Sequence, residues 1–120
     1  MYAPEVIDHF QNPRNVGELA NATVTVTADN PACGDLMQLA LLVEAGVITA
    51  ARYKARGCAT SIACGSLLTE LLTGKTLEEA RHVHRRQIVD TLGGLTNETM
   101  HASHLAMDAL EKALKQLRVK

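Results

Sequence analysis

Two cysteines, an aspartate and a histidine lie in three separate segments of the chain and have the donor atoms that a metal ion needs. Cys33 and Asp35 flank a glycine in the first segment. Cys58 follows a glycine in the second segment, and His101 lies in the third. Thiolates bind soft or borderline cations strongly, whereas carboxylate and imidazole ligands are replaced more easily. If folding brings the four side chains together, the expected site is open and can exchange its metal.

Each of these residues also has an ordinary structural interpretation. The Cys33-Gly34-Asp35 triplet is a weak signal by itself, because a solvated aspartate beside a buried cysteine is about as frequent. Cys58 lies between a predicted strand and a predicted helix, where the helix N-terminus favours a thiolate; the alternative is a small residue needed for close packing. A single histidine such as His101 is more often solvated or hydrogen-bonded than a metal ligand. The other four histidines have that same interpretation: His9, His82, His84 and His104.

The third cysteine, Cys64, is expected to be part of the core. It lies six residues after Cys58, and its spacing to Leu68 and Leu71 places it on the apolar side of the predicted helix. A ligand role is the minor alternative. An odd number of cysteines in a chain without an export signal favours metal or redox chemistry over a disulfide framework. The alternative is a set of buried free thiols.

The composition indicates one domain over residues 1–120 and excludes several classes of function. The net charge is −1, so clustered positive charge for nucleic acid or acidic membranes is not expected. Two tyrosines and one phenylalanine are too few for base-stacking surfaces. No apolar segment approaches the ~20 residues of a membrane-spanning helix, and the N-terminus lacks a signal-peptide pattern. We therefore expect a cytoplasmic protein with no nucleic-acid or membrane partner.

The residue pattern predicts the elements that position these candidates. The predicted elements are, in order, a helix over residues 3–11, strands over 22–28, 36–44 and 47–56, a helix from Thr60 or Ser61 to Gly74, a capping box from Thr76 to Glu79, a helix over 85–92, and a C-terminal helix preceded by His101. The first helix carries Val6, Ile7 and Phe10 on one side. Strands followed by helices predict an α+β fold, in which the helices pack on one face of a small antiparallel sheet.

Four segments of the chain closely resemble the iron–sulfur scaffold family of IscU and the N-terminal domain of NifU. They are residues 5–17 (EVIDHFQNPRNVG), 29–35 (DNPACGD), 57–63 (GCATSIA) and 71–80 (LLTGKTLEEA). The resemblance covers nearly the whole chain in order. It implies an α+β fold with a three-stranded antiparallel sheet and helices packed on one face, as in IscU, NifU-N and SufE-like proteins.

The resemblance also implies a function. Members of that family assemble a labile [2Fe–2S] cluster from iron and from persulfide sulfur supplied by a cysteine desulfurase, and then pass it to acceptor apo-proteins. The resemblance assigns Cys33, Asp35, Cys58 and His101 to the site that holds the cluster or iron, with zinc as an occupant in the isolated protein. It implies a scaffold and not an enzyme. The implied partners are the desulfurase, the acceptors and a second copy of the chain that shares the cluster.

The chain departs from the family pattern in three places. The family's third cysteine, a common cluster ligand and persulfide acceptor, follows the histidine, where this chain has Ala102 and Ser103. Cys64 stands where relatives carry a small hydroxyl residue. Residues 95–99 replace a proline-containing motif that a dedicated chaperone binds in many relatives. We therefore do not expect this chaperone as a partner. The short segment between Cys58 and His101 disfavours the zinc-dependent SufU branch.

Three functions remain open at this point. The leading hypothesis is a scaffold for a [2Fe–2S] cluster. The second is a zinc-binding sulfur-relay protein, in which Cys33 or Cys58 accepts the persulfide. The third is a desulfurase-binding regulator that has lost cluster chemistry. Ala102 favours the third hypothesis, whereas the presence of all four candidate ligands argues against it.

Overall fold

A computed structural model describes residues 3–30, 34–94 and 96–119, so Cys33 lies outside the described residues. The elements are helix α1 (Pro4–Gln11), strands β1 (Val24–Asn30), β2 (Asp35–Glu44) and β3 (Val47–Arg56), and helices α2 (Ala59–Leu72), α3 (Leu77–Ala80), α4 (Arg85–Thr91) and α5 (Asn97–Val119). No helix in these described ranges is long and apolar enough to cross a membrane.

The three strands form one antiparallel sheet in the order β1-β2-β3. In β1, buried Val24, Val26 and Ala28 alternate with exposed residues, as the sequence predicts for a half-buried strand. The chain reverses between β2 and β3 at Ala45 and Gly46, whose φ angles are 53° and 77°. Two successive positive φ angles are typical of the tight turn that joins hairpin strands. The predicted hairpin is therefore confirmed.

The core lies between the sheet and two long helices. Helix α5 packs on β1 and β2, α2 packs on β3, and the two helices also contact each other. The largest fully buried apolar side chains come from β2, β3, α2, α5 and α4 with its C-cap: Met37, Leu39, Leu41, Ile48, Tyr53, Leu68, Leu72, Ile88, Leu92 and Leu110. This arrangement confirms the predicted α+β fold, a three-stranded antiparallel sheet with helices packed against it.

Helix α1 buries a different face from the one that its apolar residues indicate. Val6 and His9 are buried, whereas Ile7 and Phe10 remain 40% and 43% exposed. The His9 Nδ1 lies 2.8 Å from the Oγ of Ser66 on α2. Because this buried polar contact holds α1 against α2 on the side of Val6 and His9, Ile7 and Phe10 remain partly exposed.

The helix boundaries agree with the sequence except at α5. The capping box is present, since Thr76 Oγ1 accepts a hydrogen bond from the Glu79 N–H and the Glu79 carboxylate accepts one from the Thr76 N–H. Helix α5 begins at Asn97, after Thr96 Oγ1 has accepted a hydrogen bond from the Thr99 N–H. His101 therefore lies inside α5, and the prediction that it precedes the C-terminal helix is wrong.

Candidate functional site

The pairing of β2 with β3 brings Asp35 and Cys58 together. Asp35 is the first residue of β2, and the next residue, Leu36, pairs with Arg56 at the end of β3. Cys58 follows two residues later as the N-cap of α2. The Cys58 Sγ consequently lies 4.0 Å from the Asp35 Oδ2. A strand start and a helix start, 23 residues apart in sequence, thus form one half-exposed site.

Gly57 leaves the space that the Asp35 carboxylate occupies. Its φ angle is 151°, a value that residues with a side chain rarely adopt. A Cβ atom built at this position would lie 2.6 Å from both Cγ and Oδ1 of Asp35. The glycine before Cys58 therefore has two functions, since it allows the backbone to turn into α2 and allows the carboxylate to approach the thiol.

A buried hydroxyl group joins the two candidate ligands. Ser61 lies one turn into α2, on the same side of the helix as Cys58, and its side chain is fully buried. Its Oγ donates a hydrogen bond of 2.7 Å to Asp35 Oδ2 and lies 3.5 Å from Cys58 Sγ. Sequence reasoning treated Ser61 only as a helix start and missed this contact. The spacing of three residues from Cys58 is the signal that could have identified it.

The Asp35–Cys58 pair fits two ligands of a single metal ion. Metal–sulfur and metal–oxygen bonds of ~2.3 and ~2.1 Å at a tetrahedral angle separate the two donor atoms by about 3.6 Å. The observed separation is 4.0 Å, so a shift of a few tenths of an ångström would allow both atoms to bind. The thiolate provides affinity for iron or zinc, and the carboxylate is the more exchangeable ligand.

The structure does not bring His101 to this pair. Its side chain is exposed on α5. Within the part of the chain that the structure describes, no three His, Cys, Asp or Glu side chains lie close enough to hold a metal ion. The other predicted ligand, Cys33, lies outside the described residues. Asn30 and Gly34, the described residues on either side of residues 31–33, are joined by a 2.8 Å hydrogen bond from the Gly34 N–H to the Asn30 carbonyl, and Asn30 pairs with Asp35 across the sheet.

Neither residue after His101 offers a replacement for the missing thiol. Ala102 is 1% exposed and belongs to the hydrophobic core. Ser103 is fully buried, and its Oγ donates a hydrogen bond of 2.9 Å to the Met100 carbonyl of the same helix. The face of α5 that carries positions 102 and 103 packs against the core.

Cys64 is also unsuited to ligation in this structure. Its side chain is fully buried within the core, which confirms its expected role as a small hydrophobic residue. Burial raises the pKa of the Cys64 thiol to about 12, and the nearby Cys58 contributes to the rise. Among the described residues, Cys64 also does not join Asp35 and Cys58 as a third possible ligand, so it is not a ligand in this conformation.

Two solved structures share the fold over almost the whole chain. The N-terminal part of a nitrogen-fixing NifU-like protein from Brucella abortus has a TM-score of 0.80 at 18% identity, covering 98% of this chain and 94% of that one. A putative iron–sulfur cluster assembly scaffold protein for the SUF system from Fervidobacterium islandicum has a TM-score of 0.78 at 23% identity, covering 94% and 96%. At these identities the similarity demonstrates the fold alone.

Sequence comparison identifies the family. The iron–sulfur cluster assembly scaffold protein IscU 1 of Archaeoglobus fulgidus is 46% identical over 114 residues, which are 95% of this chain and 74% of the relative. The IscU scaffold protein of Haemophilus influenzae is 42% identical over 123 residues, covering 99% and 97%. The model of the NifU-like N-terminal domain matches residues 1–120. The chain therefore belongs to the NifU-like N-terminal domain family.

Proposed function

We propose that this chain is a scaffold on which an iron–sulfur cluster is assembled and from which the cluster passes to acceptor proteins. The observation that carries the proposal is the contact of 4.0 Å between Cys58 Sγ and Asp35 Oδ2. This contact places a strong and an exchangeable donor together in a chain whose relatives are named iron–sulfur cluster assembly scaffold proteins. The role is one of binding and transfer, so we assign no catalytic residue and no enzymatic activity.

The proposed ligands are Cys33, Asp35, Cys58 and His101, and the proposed cargo is a [2Fe–2S] cluster or iron. Cysteine thiolates are the usual ligands of such clusters, and Asp35 provides the position at which an acceptor's ligand can enter. Recruitment of His101 requires a rearrangement at the start of α5 or a second copy of the chain, because the described residues do not place it with Asp35 and Cys58. A homodimer that shares the cluster satisfies this requirement.

Sulfur is proposed to arrive as a persulfide from a cysteine desulfurase. With Ala102 in place of the family's third cysteine, the remaining acceptors are Cys33 and Cys58. Cys58 is half-exposed at the start of the 14-residue helix α2, so its thiol is accessible to a sulfur donor. We place this single-domain chain in the cytoplasm, where free thiols remain reduced.

A second candidate function is a zinc-binding sulfur relay. The core position of Ala102 favours it, because no thiol replaces the missing cysteine in the described part of the structure. Biological [2Fe–2S] clusters are usually held by four cysteines, or by two cysteines and two histidines. A zinc ion requires only four nitrogen, sulfur or oxygen donors, and the four proposed ligands satisfy that number.

Anaerobic reconstitution with iron, a cysteine desulfurase and cysteine tests the proposal. We expect a visible chromophore with stoichiometric iron and sulfide in the parent protein, and its loss in Cys33→Ala and Cys58→Ala. Cys64→Ala is the matched control, since it also removes one thiol but from the core, and it should keep the chromophore. A parent protein that binds zinc without a chromophore would support the relay. A parent that binds neither metal but still binds the desulfurase would support a regulator.

A further inference from the structure

Asp35 and Cys58 form a triangle with a third residue that the proposed function does not use. The Ser61 Oγ lies 2.7 Å from Asp35 Oδ2 and 3.5 Å from Cys58 Sγ, and these two atoms are 4.0 Å apart. Ser61 is fully buried. A buried hydroxyl group that donates to a charged carboxylate makes a short, strong hydrogen bond, so it restrains the carboxylate.

We propose that Ser61 is a positioning residue for metal binding, which holds the Asp35 carboxylate toward the Cys58 thiol before the metal arrives. This inference rests on the proposed function, because it assumes that Asp35 and Cys58 bind the same ion. Gly57, on the other side of the carboxylate, has no side chain that could restrain it. The Ser61 hydroxyl therefore determines the orientation of Asp35 from the α2 side.

The hydrogen bond from Ser61 is compatible with metal binding by the same carboxylate. An ionised carboxylate has two oxygens with about four acceptor positions. Ser61 occupies one acceptor position on Oδ2, so the other positions on Oδ2 and Oδ1 remain available for a metal ion. Groups that hydrogen-bond to metal ligands usually raise affinity by fixing the ligand's orientation, and their loss typically weakens metal binding 10–100-fold. The expected effect of removing the hydroxyl is thus weaker binding.

Titration with Co(II) under anaerobic conditions tests this role in the full chain. Thiolate-to-cobalt charge-transfer absorption reports binding through cysteine, and the d–d bands report the coordination geometry. Three variants are compared with the parent protein: Ser61→Ala, Ser61→Thr and Ser66→Ala. Ser66→Ala is the matched control because Ser66 is also a buried serine of α2, but it contacts His9 and the Arg14 N–H instead of the site.

We expect Ser61→Ala to raise the Co(II) dissociation constant about tenfold and to alter the d–d bands. Ser61→Thr, which keeps the hydroxyl, and Ser66→Ala should both stay close to the parent. Equal affinity in Ser61→Ala and the parent, or equal weakening in Ser66→Ala, would overturn the inference. If Ser61→Thr does not fold because its extra methyl group is not accommodated, the comparison of the two alanine variants decides.

The same experiment distinguishes failure of the inference from failure of the proposed function. A parent protein without thiolate-to-cobalt absorption, or with absorption that Cys58→Ala does not remove, would overturn both. A parent that binds Co(II) through Cys58 while Ser61→Ala behaves like the parent would overturn only the role of Ser61.

Discussion

Replacement of Gly57 by alanine tests how closely the backbone before α2 and the Asp35 carboxylate depend on each other. Gly57 has a φ angle of 151°, and a Cβ atom there would lie 2.6 Å from Cγ and Oδ1 of Asp35. Such an approach is far shorter than van der Waals contact, and Asp35 is held from its other side by Ser61. The alanine methyl group must therefore displace the carboxylate or distort the start of α2.

The expected loss of stability has two parts. A residue with a side chain, held in a backbone conformation suited to glycine, lowers the free energy of unfolding by about 1–3 kcal/mol. Displacement of Asp35 also breaks its hydrogen bond from Ser61, and hydrogen bonds to charged groups contribute about 1.5–3 kcal/mol. Because Asp35 is only half-buried, the lower part of that range applies. We expect Gly57→Ala to reduce the free energy of unfolding by about 2.5–4.5 kcal/mol, a large fraction of the roughly 5–15 kcal/mol typical of a domain.

Urea unfolding of Gly57→Ala, Asp35→Ala and the double variant separates the two parts. In the Asp35→Ala background the methyl group meets no carboxylate, so the cost of Gly57→Ala should fall to the backbone part alone, about 1–3 kcal/mol. The difference between the two backgrounds is the coupling energy of the pair. An equal cost in both backgrounds would show that the carboxylate is not what the methyl group displaces. A cost below about 1 kcal/mol in the parent background would also refute the strain.

Three further predictions concern the thiols, the carboxylate and a buried histidine. Asp35→Ala should lengthen the lifetime of a reconstituted cluster and slow its transfer to an acceptor, because it removes the proposed ligand at which an acceptor's ligand can enter; faster loss, followed by visible absorption, would contradict this role. Cys64→Ser should leave metal content unchanged by elemental analysis, and alkylation of the folded protein followed by mass spectrometry should modify Cys58 but not Cys64; a Cys64 variant without metal would identify it as a ligand. Burial first, and then the Arg14 guanidinium, lower the pKa of His9 from 6.5, so the unfolded chain binds this proton more readily than the folded chain. Stability should therefore fall as the pH drops through 6.5, with a smaller drop in His9→Gln; equal pH dependence in urea unfolding of the two proteins would exclude His9 as the cause.

The sheet is predictable from local sequence patterns, because the alternation within a strand and the turn between two strands each involve only residues that are close in sequence. The alternation of apolar and polar residues in β1 and the turn at Ala45 and Gly46 are both readable without knowledge of the rest of the chain. The same holds for the capping box of Thr76 and Glu79. The proximity of Asp35 and Cys58 follows from that sheet, since a hairpin of this register places the start of β2 beside the end of β3.

Contacts between distant parts of the chain cannot be predicted from such local patterns. The exposed side of α1 depends on the contact between His9 and Ser66, which are 57 residues apart, and apolar periodicity alone cannot anticipate a buried polar contact. The C-terminal apolar repeat begins after His101, so this repeat predicts a start of α5 that is later than the observed start at Asn97. The cap at Thr96, four residues upstream of Met100, was the local signal that was overlooked.

Alanine at position 102, where the family resemblance predicts a cysteine, also affects the energetics of the helix that carries His101. Ala102 packs in the core, and alanine has the highest helix propensity of the common residues, up to about 0.7 kcal/mol above cysteine. Both effects stabilise the first turns of α5, where His101 faces solvent. A rearrangement that unwinds these turns to carry His101 toward Asp35 and Cys58 would also expose Ala102, which is buried in the core. A second copy of the chain can instead supply a ligand without unwinding α5. The core alanine therefore opposes unwinding of the start of α5 as a route that would bring His101 to Asp35 and Cys58.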